Sequence, residues 1–174
     1  ASLTVLSYIK EGNSVVLHGR AGSGKSGCAE EVIKMLANEQ IPYLAIKLDK
    51  HVPEISADAY GRKLGLSESP VYCLKKVAAN NPCVLILDQL DSLRWTAKHS
   101  ATALSVCKEM IVQADANNRA DNGRVSILFI TRTFDYKNDN GIKNLFSKDD
   151  SKSQTWKHVE LGVLSDEETA KIVG

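Results

Sequence analysis

The sequence has almost no excess charge: 22 Lys and Arg stand against 21 Asp and Glu, for a formal net charge of +1. A chain this balanced gives no bulk electrostatic reason to bind nucleic acid or an anionic membrane surface. It lacks any run approaching the ~18 consecutive apolar residues of a membrane-spanning helix, and no basic-then-apolar leader opens it. The four cysteines, Cys28, Cys73, Cys83 and Cys107, form no C-x-x-C pair and no His/Cys cluster. Their spacing argues against a structural zinc and predicts buried thiols in a reducing, cytoplasmic setting. Repeats and low-complexity segments are also missing. What remains, 174 residues at 43% hydrophobic and 25% charged, suits one globular domain with a sizeable core.

Residues 15–26 carry most of the information. Val15-Val16-Leu17-His18 reads as a buried strand running into Gly19-Arg20-Ala21-Gly22-Ser23-Gly24-Lys25-Ser26, the Gly-x-x-x-x-Gly-Lys-Ser phosphate-binding loop of P-loop NTPases. Glycines let the backbone curl with its N–H groups facing inward, and the positive end of the next helix completes a socket for phosphates. Residues Gly19 to Ser26, with Gly27 in the first turn of that helix, are the expected nucleotide-binding set. Lys25 supplies a mobile charge on the β- and γ-phosphates, and the Ser26 hydroxyl is placed to ligate Mg²⁺.

Strand-like and helix-like segments alternate beyond the loop. Cys28, Val32, Met35 and Leu36 fall on one helical face; Ile41–Leu48 reads as a strand; Ser56 caps a short helix ended by Gly65. Ser69-Pro70 opens another helix, with proline where its missing N–H costs nothing. Cys83 to Leu87 is a continuous apolar run, as expected of a strand covered on both faces. A helical stripe (Leu104, Cys107, Ile111, Ala114) and strands over Val125–Thr131 and Lys157–Leu161 follow. Long connections between strands favour parallel pairing. The expected fold is therefore a three-layer α/β P-loop domain, with a mostly parallel sheet and helices on both faces.

Two further segments bear on chemistry. Val84-Leu85-Ile86-Leu87-Asp88 has the form of a Walker B strand, in which Asp88 would hold Mg²⁺ opposite Ser26. Many P-loop ATPases place a catalytic Glu directly after that Asp, whereas here Gln89 follows and the nearest carboxylate is Asp91. Asp91 is expected to polarise the attacking water if the strand end curls back; it could equally cap Ser92–Trp95, and Gln89 could orient water but is a poor base. Ile127 to Thr131 leads to Arg132, expected to reach the γ-phosphate from a strand lying between the first and third. The bland alternative for Arg132 is a surface salt bridge with Asp135. Lys25, Asp91 and Arg132 make up the candidate catalytic set. Lys137-Asn138-Asp139-Asn140 has the wrong order for guanine recognition. His18, His51, His99 and His158 are scattered, the Lys47–His51 cluster reads as a solvated turn, and Trp95 and Tyr136 read as packing residues.

Taken together, Gly19–Ser26, Leu85-Ile86-Leu87-Asp88-Gln89-Leu90-Asp91 and Ile130-Thr131-Arg132-Thr133-Phe134-Asp135 resemble the STAND NTPases, relatives of the NACHT and NB-ARC groups. Leu161–Glu168 is similar to that family's passage into a small helical lid, and bacterial signalling and antiphage members look most alike. The resemblance implies a nucleotide-controlled switch that is closed with ADP and homo-oligomerises with ATP. It divides the chain into a nucleotide-binding domain over residues 1–163 and the start of a truncated lid over 164–174. The absence of an initial Met and the capping box Ser165-Asp166-Glu167-Glu168 just before Gly174 suggest a fragment of a longer protein.

The expectation is an ATP/ADP-binding, Mg²⁺-dependent core with slow hydrolysis, weak or absent in this fragment alone. The rivals are a AAA+ remodelling ATPase of replication-initiator type, which shares the sheet topology, and a module that binds nucleotide without relevant turnover.

Overall fold

In the computed structural model, residues 1–94, 100–120, 124–146 and 156–162 are described. Helix α1 (Ser2–Lys10) precedes strand β1 (Ser14–Gly19), and α2 (Lys25–Asn38) leads to β2 (Tyr43–Lys47). Helices α3 (Ala57–Lys63) and α4 (Pro70–Ala78) lead to β3 (Cys83–Asp88) and a 3₁₀ turn at Leu90–Arg94. Then come α5 (Ser100–Ala120), β4 (Val125–Arg132), α6 (Thr133–Asn138), α7 (Asn140–Leu145) and β5 (Trp156–Leu161). Trp95, His99 and the expected lid over residues 164–174, with its capping box, lie outside the described residues.

All pairings in the sheet are parallel, in the order β2-β3-β4-β1-β5. The three central strands are hydrophobic on both faces, and the alternation of strand side chains sorts the core into two layers. Val15, Leu17, Val84, Ile86, Leu128 and Ile130 meet α1 and α2 on one side, through Val5, Ile9, Val32 and Leu36. Val16, Leu85, Leu87, Ile127 and Phe129 face α3, α4, α5 and α7 on the other. The expected three-layer α/β fold is the one observed.

Local signals explain the elements. The Ser56 hydroxyl accepts from the Ala59 N–H at 3.1 Å, capping α3. Ser69 does not cap α4 with its side chain; its hydroxyl donates to Gln113 on α5 at 2.5 Å and ties the two helices together. Cys28, Cys83 and Cys107 are buried thiols, while Cys73 is half-buried. Burial pushes the Cys83 thiol up to about 11 and that of Cys107 to about 12, so both stay protonated and inert at neutral pH. β2 is shorter than its apolar run, since Ile41 and Pro42 lie before the first paired residue. Helices α6 and α7 were not expected from the sequence. Among the described residues, no helix is long and apolar enough to cross a membrane.

Candidate functional site

Parallel pairing delivers the carboxyl ends of β1, β3 and β4 to one edge of the sheet. Gly19 is in register with Arg132, and Asp88 closes β3 two positions after Ile86, which pairs with Leu128. In open α/β sheets this edge is where ligands bind. Here it holds a cleft of about 430 Å³ lined by Gly22, Gly24, Lys25, Ser26, Asp88, Gln89, Asp91, Ile130 and Arg132.

The loop after β1 forms one wall. Gly22 and Gly24 have φ of 77° and 90°, in the left-handed region that side chains resist, and Gly24 is the N-cap of α2. Gly19 is small for a different reason. A Cβ there would collide with the Ser23 hydroxyl and press on Leu161 Cβ at 3.1 Å. Ser23 is buried beneath the loop, and its Oγ has no hydrogen-bond partner among the described residues. Gly19→Ala is therefore expected to cost about 1–3 kcal/mol by overpacking; an unchanged urea midpoint would show that the loop simply gives way. Arg20 and Ala21 are exposed on the outer side of the loop, and Gly27 is exposed in the first turn of α2.

Lys25 folds back over its own loop, its Nζ donating to the carbonyls of Gly19 at 3.0 Å and Arg20 at 2.9 Å. Burial lowers its pKa, with Arg132 adding to the effect while Asp91 and Asp88 oppose it. An anion entering the cleft would meet a cation already gathered by the loop.

The opposite wall comes from the end of β3. Burial raises the Asp88 pKa, with Asp49 and Asp91 adding to it, against the Gln89 N–H and Lys47. The Gln89 N–H donates to Asp88 Oδ1 at 2.8 Å. Gln89 takes φ of 65°, unusual for a side-chain-bearing residue, and its carbonyl accepts from the Ser92 N–H and hydroxyl at 3.0 and 2.7 Å. That reversal curls the chain back, so that Asp91 also borders the cleft. The Ser26 hydroxyl and the Asp88 carboxylate are hard oxygen donors on one cavity, which fits Mg²⁺ held by one or two protein groups plus phosphate oxygens.

The third wall is the tip of β4. Arg132 Nε lies 3.2 Å from Asp91 Oδ2 and 2.9 Å from Asp135 Oδ2. The ion pair with Asp135, the alternative reading for Arg132, is thus made, but to a wholly buried carboxylate at the start of α6 and not at the surface. Sequence reasoning missed this burial, although the Arg-x-x-Asp spacing was the available signal. Among the described residues, His18, His51 and His158 fall outside the cleft. His18 bonds Thr133 Oγ1 through Nδ1 at 3.0 Å and stacks on Tyr136, whose hydroxyl meets His158 Nδ1 at 2.6 Å. Tyr136 accordingly packs at the root of the site, and Lys47, Asp49, Lys50 and His51 are exposed.

Residues 15–147 match the family described as ATPase family associated with various cellular activities (AAA). Among solved structures, the chain is similar to that described as "Structure of the Aeropyrum Pernix ORC2 protein (ADPNP-ADP complexes)", at 13% identity and a TM-score of 0.57. That alignment covers 99% of this chain and 48% of the archaeal one, so the chain spans about half the length of that relative. No curated protein sequence matches. The family match lies on the AAA side of the alternatives raised by the sequence, and not specifically on the STAND side; the solved structure, at 13% identity, shows the likeness of fold.

Proposed function

The chain belongs to the AAA family of ATPases, and from that premise we propose that it is a Mg²⁺-dependent ATP/ADP-binding core whose nucleotide state acts as a switch. What carries the proposal is the convergence of the glycine loop, Asp88, Asp91 and Arg132 on one cleft at the carboxyl edge of the sheet. The backbone N–H groups of Gly22 to Ser26 and the Lys25 ammonium bind the β- and γ-phosphates. Ser26 and Asp88 are the groups that would hold Mg²⁺, which neutralises phosphate charge when bound. Asp91 orients and deprotonates the attacking water, and Arg132 contacts the γ-phosphate.

Slow turnover follows from the position after Asp88. A glutamate there is the base of many P-loop ATPases, while Gln89 carries no charge and is turned by its positive φ. Nucleotide occupancy, more than flux, is then the output of the domain. The likeness to an ORC2 structure with ADPNP and ADP in its description supports the same ligand class here, within a AAA+ protein of initiator type. Assembly into a homo-oligomer belongs to the whole protein and is part of the proposal.

Arg132→Ala tests the reading directly. A charge-assisted hydrogen bond is worth about 1.5–3 kcal/mol, so a non-hydrolysable ATP analogue should lose about ten-fold or more in affinity relative to ADP. Calorimetric titration in Mg²⁺ measures both. Equal losses for the two nucleotides would reduce Arg132 to a general electrostatic role.

A further inference from the structure

Arg132 leaves β4 between two carboxylates of different standing. Asp91 borders the cleft; its Oδ1 accepts from the Arg132 backbone N–H at 3.2 Å and its Oδ2 lies 3.2 Å from Arg132 Nε. Asp135 is wholly buried in the first turn of α6 and accepts from the same Nε at 2.9 Å. Nε is the lateral nitrogen of the guanidinium. An arginine gripped there has its planar fork fixed in direction, which a lysine with one nitrogen cannot reproduce.

The two partners respond differently to a phosphate. Stripping a buried carboxylate of a hydrogen-bonded cation is costly, so Asp135 holds the Arg132 Nε more firmly than the cleft-lining Asp91 does. Asp91 lies where the γ-phosphate would compete for the same guanidinium. We propose that Asp135 is a positioning residue that keeps Arg132 at the tip of β4 in every nucleotide state, so that an arriving γ-phosphate displaces only Asp91 from the guanidinium and frees that carboxylate for water. The Asp91–Arg132 pair is then a latch on the base, released by the nucleotide that the base acts upon. This inference rests on Arg132 being the γ-phosphate contact.

A purely structural role for Asp135 must be separated from this one, because an acidic residue in the first turn also suits the N-terminal end of a helix. The fold offers a clean test, for α6 has a second attachment. Thr133 bonds His18 and Tyr136 stacks on it, pinning the helix to β1 independently of Asp135.

The experiment titrates the 174-residue chain with MgADP and with the magnesium complex of adenosine 5′-(γ-thio)triphosphate, checking folding by circular dichroism. Asp135→Asn should lower the preference for the triphosphate about five-fold or more, as expected within one ion-pair network. In an Arg132→Ala background the same change should leave that preference within about two-fold, because its intermediary is gone. Arg132→Lys, which leaves Asp135 in place, should lose the preference as Arg132→Ala does. The proposal is overturned if Asp135→Asn retains the preference, if it acts equally without Arg132, or if Arg132→Lys behaves as wild type. Should Arg132→Ala itself leave the preference unchanged, the γ-phosphate contact fails and the latch with it. A failure of Asp135→Asn alone would spare that contact.

Discussion

Lys25→Ala is expected to remove most of the affinity for both ATP and ADP while leaving the fold intact. Truncating one partner of a desolvated charge pair costs about 2–5 kcal/mol, or roughly 30- to several-thousand-fold in Kd. The loss should be general, since Lys25 sits in the loop wall and reaches phosphates common to both nucleotides. The fold should persist because Lys25 is half-buried at the cleft mouth and its ammonium bonds carbonyls of its own loop, Gly19 and Arg20, instead of bracing the core. Arg20 is exposed, so its carbonyl can turn to water. Calorimetry beside circular dichroism decides the matter. A folded variant with wild-type affinity would mean that the glycine loop is not a phosphate site at all.

The other large effect concerns rate and not affinity. Asp91→Asn should bind MgATP at least as tightly as the wild type, having no carboxylate to compete for Arg132, and hydrolyse it more slowly, since removing a water-polarising base typically costs about 10²–10⁴-fold. The amide keeps an oxygen able to accept from the Arg132 N–H, so the strand tip should hold its shape. Asp88→Ala provides the contrast: there the oxygen donor opposite Ser26 is lost, and binding should weaken in Mg²⁺ but not in its absence. Single-turnover phosphate release is the appropriate assay for a slow enzyme. If Asp91→Asn releases phosphate at the wild-type rate, Asp91 serves only to hold Arg132, and the latch described above has no catalytic consequence.

Much of this site was legible in the sequence because its parts are local. The glycines, Lys25 and Ser26 are contiguous, and a run such as Val84 to Leu87 announces both a buried strand and the position of the carboxylate that ends it. The order of the strands was legible in part, since a long helical crossover dictates parallel pairing. What stayed hidden was decided by contacts between distant segments. The Arg-x-x-Asp spacing marks Asp135 only as a partner for Arg132; its burial arises where α6 folds onto β1 and β4. The left-handed turn at Gln89 occurs at a residue with no preference for it, held by the bond its N–H donates to Asp88 and those its carbonyl accepts from Ser92. Helices α6 and α7 have six residues each, too short for hydrophobic periodicity to declare itself.

The strand order has a consequence for how such a chain reaches its working state. β1, which bears the phosphate loop, pairs with β4 and β5, the last two strands among the described residues, and the His18–Thr133 bond closes a span of 115 positions. No early subset of the chain can assemble the cleft. A chain that stops before β4 lacks the Ile130–Arg132 wall of the cleft, and a ligand that prefers the completed cleft draws the folding equilibrium toward it by mass action. At a concentration 100 times its Kd the added stability is about 2.7 kcal/mol. Chains that close the cleft gain that stability, and those that stall before β4 gain nothing from it.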